Sequence, residues 1–82
     1  MADPPQLIVY SRAYCHLCDD MVAALNALQP EYGYSLRIVD VDADPALEAR
    51  YDTLVPVLTL DGAEICHYVL DRARLDAALI GG

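Results

Sequence analysis

The residues of this chain best suited to chemistry are two cysteines three positions apart. Cys15 and Cys18 lie in the stretch YCHLCDD, and the third cysteine, Cys66, is distant in the sequence. The spacing C-x-x-C occurs in redox-active dithiols and in zinc sites alike. The pair on its own therefore fits a reversible disulfide, half of a metal site, or two small residues packed in a core.

The position of Cys15 in the chain favours the redox interpretation. A helical pattern of apolar residues begins near Cys15, directly after an apolar strand. The free backbone N–H groups of a helix N-terminus favour anions, and the thiolate is the nucleophilic form of cysteine. At the usual pKa of about 8.5 only about 3% of a thiol is ionised at pH 7, whereas a pKa near 6 gives about 90%. We expect a lowered pKa at Cys15, with His16 and Arg12 as further stabilising groups.

Cys18 is suited to the second step of disulfide exchange. It lies one helical turn after Cys15, close enough for the two sulfurs to bond. On the apolar side of the helix its sulfur is shielded, so we expect it to attack the mixed disulfide that Cys15 forms with a substrate. Inert packing fits Cys18 but fits Cys15 poorly, because a helix N-terminus beside a polar loop is usually exposed.

Composition argues against several classes of partner. The 82 residues carry a net charge of −8, and all five positive charges are arginines. An anionic chain of this kind repels nucleic acids and anionic membrane surfaces. No apolar stretch approaches the ~20 residues of a membrane span, and the first residues, MADPPQ, lack the features of a secretory signal. We therefore expect one cytoplasmic domain over residues 1–82, in which an odd number of cysteines argues against a structural disulfide framework.

Periodicity and turn residues indicate the elements that must position the cysteines. The continuous apolar run LIVY predicts a strand buried on both faces. The first half of the chain then reads as a strand at 7–10, a helix from Cys15 to Pro30 with Leu17, Met21, Ala24, Leu25 and Leu28 inward, a strand at 35–41, and a helix capped by Asp44-Pro45. The second half reads as a strand at 55–60, a turn at Asp61-Gly62, a strand at 63–68, and a helix capped by Asp71 and ended by Gly81-Gly82. The order β-α-β-α-β-β-α predicts a parallel unit followed by an antiparallel hairpin and a helix.

Two stretches of this pattern resemble the glutaredoxins of the thioredoxin-fold superfamily. LIVYSR followed by AYCHLC resembles the glutaredoxin sequence of a strand, a basic residue and C-x-x-C, and Leu54-Val55-Pro56 resembles the Thr-Val-Pro segment of that family. The resemblance covers roughly the whole chain. It implies a thioredoxin-like three-layer α/β/α sandwich with a four-stranded mixed sheet, and thiol–disulfide exchange in which Cys15 attacks and Cys18 resolves. It also implies that the proline is cis and lies against the cysteine pair, and that the Val55 backbone binds a substrate peptide or glutathione.

Three departures from the glutaredoxin pattern bear on the substrate. His16-Leu17 stands where glutaredoxins usually carry Pro-Tyr, so the redox potential of that family does not carry over. Leu54 replaces the threonine before Val-Pro. The Gly-Gly and acidic pair that hold the γ-glutamyl end of glutathione are absent, and Asp71 alone offers a comparable acidic group. Dithiol chemistry therefore carries over better than specificity for glutathione.

Five residues are predicted to contact the substrate, namely Arg12, Tyr14, His16, Val55 and Pro56. Arg12 either binds a substrate carboxylate or is simply solvated, Tyr14 either forms part of the rim or packs, and His16 modulates the thiolate from an exposed position. We expect no tightly bound cofactor, with glutathione or another thiol reductant as co-substrate. The expected partner is a disulfide-containing protein or glutathione, and the expected oligomeric state is a monomer.

Cys66 and His67 provide a competing metal hypothesis. The predicted two-residue turn sets a register in which Cys66 lies opposite Val57. His67 then lies opposite Pro56, near the cysteine pair, which would complete a Cys₃His zinc set. Adjacent strand residues point to opposite faces, so both could bind one metal only at a bulge. We therefore favour no metal, with Cys66 as an inert core residue. The alternative function is a non-enzymatic thioredoxin-fold module whose cysteines bind a metal or a protein partner.

Overall fold

The computed structural model describes residues 4–80. Its strands are β1 (Gln6–Ser11), β2 (Ser35–Asp40), β3 (Val57–Leu60) and β4 (Ala63–His67). Its helices are α1 (His16–Tyr32), α2 (Pro45–Tyr51) and α3 (Arg72–Ile80), with a short 3-10 turn at Val41–Ala43. The predicted order β-α-β-α-β-β-α is confirmed. No helix within residues 4–80 has the length and apolar character that a membrane span requires.

The four strands form one mixed sheet in the order β2-β1-β3-β4. β1 runs parallel to β2 and antiparallel to β3, and β3 pairs with β4 as a hairpin. The ladder between β1 and β3 ends with Tyr10 opposite Val57. Because of this pairing, the chain that leaves β1 and the chain that enters β3 meet at one edge of the sheet.

Two apolar cores cover the two faces of the sheet, which is why β1 reads as an unbroken apolar run. On one face, Leu7 and Val9 pack in a larger core with residues of α1 and α3. On the other face, Tyr10 packs in a smaller core with Tyr51 of α2, and the two rings stack with centroids 4.4 Å apart. The three-layer α/β/α arrangement is confirmed, with α1 and α3 on one side of the sheet and α2 on the other.

The buried face of α1 lies slightly off the predicted one. It runs through Cys18, Met21 and Leu25, all of which are buried. Leu17, predicted to point inward, is 44% exposed. The prediction for Leu17 is wrong because Cys18 occupies the buried position of the first turn. The side chain of Leu17, one residue earlier, therefore lies at the surface.

The prediction that Pro30 ends α1 is also wrong. The helix continues to Tyr32 and ends at Gly33, whose φ is 74° and whose N–H donates to the Gln29 carbonyl at 2.8 Å. Pro30 has no N–H to donate, so the last turn of α1 lacks one hydrogen bond. Its ring nevertheless fixes φ near a helical value, and the two residues after it remain helical. The left-handed glycine sets the end instead. The predicted stop of the last helix at Gly81-Gly82 lies outside the described residues.

The hairpin of β3 and β4 has its predicted turn but a different register. Asp61 and Gly62 both have positive φ, 51° and 83°, as a two-residue hairpin turn requires. A bulge beyond the turn shifts the pairing, so Cys66 lies opposite Leu58 rather than Val57, and His67 is displaced likewise. The predicted register is wrong by one residue, because a bulge sets two residues of one strand against one residue of its partner.

Tyr34, between α1 and β2, offers a test of the larger core. Its side chain is 1% exposed, and its hydroxyl donates a hydrogen bond to the Leu25 carbonyl of α1. Burial raises the pKa of the Tyr34 phenol. The folded protein therefore holds this phenol in its neutral, donating form.

We expect Tyr34→Phe to lower the free energy of unfolding by about 1 kcal/mol at pH 7, because a buried hydrogen bond is lost. Above about pH 10 the difference should shrink. The unfolded wild-type chain then ionises its phenol while the folded state keeps it neutral, so the contribution of Tyr34 falls as the pH rises. Urea unfolding at pH 7 and at about pH 10.5 measures both values, with Tyr14→Phe as an exposed control. A difference that stays equal or grows at high pH would contradict the role of burial.

Candidate active site

Cys15 occupies the N-cap of α1. The chain leaves β1 at Ser11, makes a tight turn and reaches Cys15 in an extended conformation, with φ of −114° and ψ of 106°. The Cys15 sulfur accepts a hydrogen bond from the backbone N–H of Cys18 at 3.1 Å. A sulfur thus fills the role that a serine or aspartate oxygen usually has at an N-cap. Because a charged acceptor strengthens such a bond, this geometry favours the thiolate of Cys15 once the pair is reduced.

The two cysteines of the motif form a disulfide in this structure. Their Cα atoms are 5.2 Å apart, within the usual range for such a bond. Cys15 is half-buried, whereas Cys18 is only 2% exposed. Cys15 is therefore the more open of the two to an incoming disulfide, which is the asymmetry that an attacking and a resolving thiol require.

Val55 and Pro56 lie in the loop that leads into β3, at the same edge of the sheet as the loop of Cys15. The peptide bond between them is cis, as the resemblance implies. The carbonyl of buried Pro56 accepts a hydrogen bond from the Tyr68 N–H at 2.9 Å, and the Tyr68 hydroxyl donates to the Thr53 carbonyl at 2.9 Å. Val55 is half-buried, and within residues 4–80 its N–H and C=O form no hydrogen bond with another backbone group. Its backbone is therefore open to pairing with another chain.

The Arg12 guanidinium is engaged by two carboxylates. Nη2 and Nε donate to the Asp42 carboxylate at 2.7 and 3.4 Å. Nη1 donates to the carboxylate and to the carbonyl of Asp52, at 2.7 and 3.3 Å. These hydrogen bonds raise the pKa of Arg12 above its usual value, so the guanidinium stays charged. Arg12 is thus neither simply solvated nor a free cation beside Cys15, and its contact with a substrate stays a prediction.

Tyr14 and His16 flank Cys15, and both are exposed. Tyr14 has a positive φ of 59° and a fully exposed side chain, so the alternative that it packs against the protein does not apply. His16 is the first residue of α1. Both side chains are open to an incoming molecule, and their substrate contacts stay predictions.

An apolar groove that includes Leu17, the residue before Cys18, was not predicted from the sequence. The groove has a volume of about 500 Å³ and lies between α1 and the segment that joins β4 to α3. Leu17, Tyr68 and Val69 line it, and all three are exposed. The apolar residues YVL after β4 are the sequence feature that indicates this groove. Strand periodicity, however, assigns Tyr68 to the strand, and helical periodicity assigns Leu17 to the core.

Cys66 and His67 lie in different surroundings from the cysteine pair. Cys66 is buried in the larger core, and its sulfur accepts a hydrogen bond from the Asp71 N–H at 3.5 Å. Burial raises the pKa of the Cys66 thiol, and the bond from Asp71 offsets part of that effect. His67 Nδ1 lies 2.9 Å from the Glu64 carboxylate. Among residues 4–80, no three His, Cys, Asp or Glu side chains converge as metal ligands do.

Comparisons with known proteins give one family model and several similar chains. The model described as the glutaredoxin-like domain (DUF836) matches residues 6–80. An uncharacterised protein of Mycobacterium tuberculosis is 33% identical in an alignment of 78 positions that covers 89% of this chain and 80% of the relative. The solution structure of protein Ne2328 from Nitrosomonas europaea is 37% identical, with 96% of this chain and 95% of that chain covered and a TM-score of 0.87. Thioredoxin from Fasciola hepatica, at 22% identity, shares the fold with a TM-score of 0.60, over 93% of this chain and 78% of its own.

The contrast between Cys15 and Cys66 predicts a difference in thiol reactivity. In the reduced native protein we expect iodoacetamide to modify Cys15 at least about tenfold faster than Cys66 at about pH 7.5, because Cys15 is the more accessible thiol and the thiolate is the reactive form. At about pH 9 Cys66 should still react more slowly than a free thiol, since its raised pKa keeps a larger share of it protonated. A time course by peptide mass measures both rates, with urea-unfolded protein as the control in which they converge. Equal rates in the native protein would contradict this arrangement.

Proposed function

Since this chain belongs to the family of glutaredoxin-like domains and has the thioredoxin fold, we propose that it is a thiol–disulfide oxidoreductase acting through Cys15 and Cys18. The observation that supports this most strongly is the N-cap. There the more accessible sulfur is held by an amide N–H at the start of a helix, with the second sulfur buried behind it. Two cysteines that served only as core packing would not place one sulfur at an open helix N-terminus.

The first step of the proposed reaction forms a mixed disulfide. The Cys15 thiolate attacks one sulfur of a substrate disulfide, the S–S bond of the substrate breaks, and its other half leaves as a thiolate that takes a proton from water. The Cys18 N–H holds the attacking sulfur in place. Cys15 is then bonded to the remaining half of the substrate.

The second step releases the substrate. Cys18 gives its proton to solvent, and its thiolate attacks the Cys15 sulfur. The bond between Cys15 and the substrate breaks, and the second half of the substrate leaves as a thiol. Two electrons have then passed from the dithiol to the substrate, and the Cys15–Cys18 disulfide remains.

A thiol reductant returns the protein to its dithiol form. Two thiols, from glutathione or from another reductant, reverse the exchange and leave as a disulfide, so no tightly bound cofactor is needed. We take its substrates to be protein disulfides or glutathione mixed disulfides, and we expect it to act as a monomer. A cytoplasmic setting suits it, because thiol reductants are abundant there.

The substrate chain is proposed to dock at Val55 and Pro56. The resemblance to the glutaredoxins suggests this role, and the unpaired backbone N–H and C=O of Val55 support it. An extended segment that pairs with this backbone would present its disulfide to Cys15 at the same edge of the sheet. The exposed side chains of Leu17 and Val69 offer apolar contacts beside it.

Two single substitutions test the roles of the two cysteines. We expect Cys18→Ser to accumulate a mixed disulfide at Cys15, because the resolving thiol is missing. Cys15→Ser should accumulate none, since Cys18 is buried. Incubation with a cystine-bridged peptide, acid quenching and intact mass measurement detect the adduct. Cys66→Ala is the control that should turn over like the wild type.

Equal trapping by both variants would contradict the assignment of attacker and resolver. The non-enzymatic alternative has a separate signature. A full equivalent of zinc in freshly purified protein, with no disulfide formed on mild oxidation, would favour a metal-binding module over the enzyme.

A further inference from the structure

Arg12 connects the two loops that meet at the candidate active site. It follows β1 directly and precedes Cys15 by three residues, while Asp52 precedes Pro56 by four. Asp42 lies in the 3-10 turn that follows β2. The guanidinium reaches each carboxylate at 2.7 Å. The base of the loop of Cys15 is thereby tied to the base of the loop of Pro56.

We propose that Arg12 is a positioning residue that fixes Cys15 relative to Val55, and that it does not bind a substrate carboxylate. The inference rests on the proposed function, because it concerns how a chain docked at Val55 presents its disulfide to Cys15. It also deepens that function, since it names the substrates that depend on the contact. They are polypeptide disulfides, which use the docking loop, as opposed to small disulfides, which do not.

The geometry of the Arg12 contacts supports a fixed position. A single exposed ion pair contributes little to stability. Here the planar guanidinium donates from Nε and Nη2 to one carboxylate and from Nη1 to another, which restricts its orientation. Asp42 is restrained in turn, because its backbone N–H donates to the Asp40 carboxylate at 2.9 Å. A lysine, which carries one compact charge, could not span both carboxylates in this way.

The same contacts make Arg12 a poor site for an anion. All three nitrogens of its guanidinium already donate to Asp42 or Asp52. Together the three side chains carry more negative than positive charge. An incoming carboxylate would therefore be repelled by two negative charges that already compensate the cation.

The positioning role predicts a dependence on the size of the substrate. A small disulfide needs only the sulfur of Cys15. A peptide disulfide that pairs with the backbone of Val55 needs both loops in a fixed relation, because a displacement of about 1 Å can slow a reaction by as much as about a hundredfold. Loss of the Arg12 contacts should therefore slow the peptide and spare the small disulfide.

The test measures how fast the wild type and one charge-balanced variant react with three disulfide probes. The probes are 2-hydroxyethyl disulfide, which is small and neutral, 3,3′-dithiodipropionate, which carries two carboxylates, and the disulfide dimer of N-acetyl-Ala-Cys-Ala-amide, which is a neutral peptide. The variant is Arg12→Gln/Asp42→Asn, which removes one charge of each sign and leaves the net charge unchanged. The rate of oxidation of the reduced full chain is followed by acid quenching and intact mass.

We expect the variant to react about tenfold more slowly with the peptide and to stay within about twofold of the wild type with both small disulfides. The matched control is Arg72→Gln/Glu31→Gln, which removes an exposed ion pair of 3.0 Å near the other end of α1. It should leave all three rates within about twofold of the wild type, because it touches neither loop.

A second variant covers the case in which the double variant does not fold. Arg12→Lys keeps the positive charge but cannot span both carboxylates. It should show the same selective loss with the peptide. If it instead kept the peptide rate of the wild type, charge alone would suffice and the positioning role would be overturned.

Any other pattern of rates with the three probes contradicts the proposal. A loss confined to 3,3′-dithiodipropionate would show that Arg12 binds a carboxylate, and it would overturn the proposal. An equal loss with all three probes would show an effect on the thiolate itself, and no loss at all would show no role; both overturn it as well. If the wild type reacted with none of the probes, the proposed function would fail first, and the positioning role would fail with it.

Discussion

The hydrogen bond from the Cys18 N–H to the Cys15 sulfur is the contact on which the candidate site depends. It forms because Cys15 stands immediately before the first helical residue, and that place is fixed by where β1 ends. β1 is held in turn by apolar cores on both of its faces, through Leu7 and Val9 on one side and Tyr10 on the other. The Cys15 sulfur is thus positioned mainly by the burial of a strand. Cys15 stays more exposed than Cys18, which lies in the interior.

Features with a local physical cause could be predicted from the sequence. Asp44-Pro45 starts α2 as expected, with the Asp44 carboxylate accepting the Ala46 N–H at 2.9 Å, since a cap and a proline act within one helical turn. Asp61-Gly62 makes its turn because two residues must adopt positive φ there. The strand-to-helix junction that carries Cys15 and Cys18 belongs to the same class, because the apolar period changes from a continuous run to a helical one at that point.

Features that depend on distant residues could not be predicted in the same way. The partners of Arg12 lie 30 and 40 positions away, and nothing local distinguishes them among thirteen acidic residues. The bulge in β4 and the exposure of Leu17 follow from how whole elements pack, where small differences in burial decide the outcome. The cysteine pair and the cis-proline loop could therefore be predicted from the sequence, whereas the Arg12 contact that joins them could be seen only in the structure.

The shortness of the ring closed by the Cys15–Cys18 bond has a consequence of its own. The two residues are three positions apart and belong to the first turn of α1, so the bond encloses hardly any chain. A cross-link stabilises a protein mainly by restricting the unfolded chain, and that effect grows with the length enclosed. This bond is therefore of little use as a brace. The fold around it should therefore stay almost unchanged when the pair is oxidised or reduced, and the proposed exchange requires that independence.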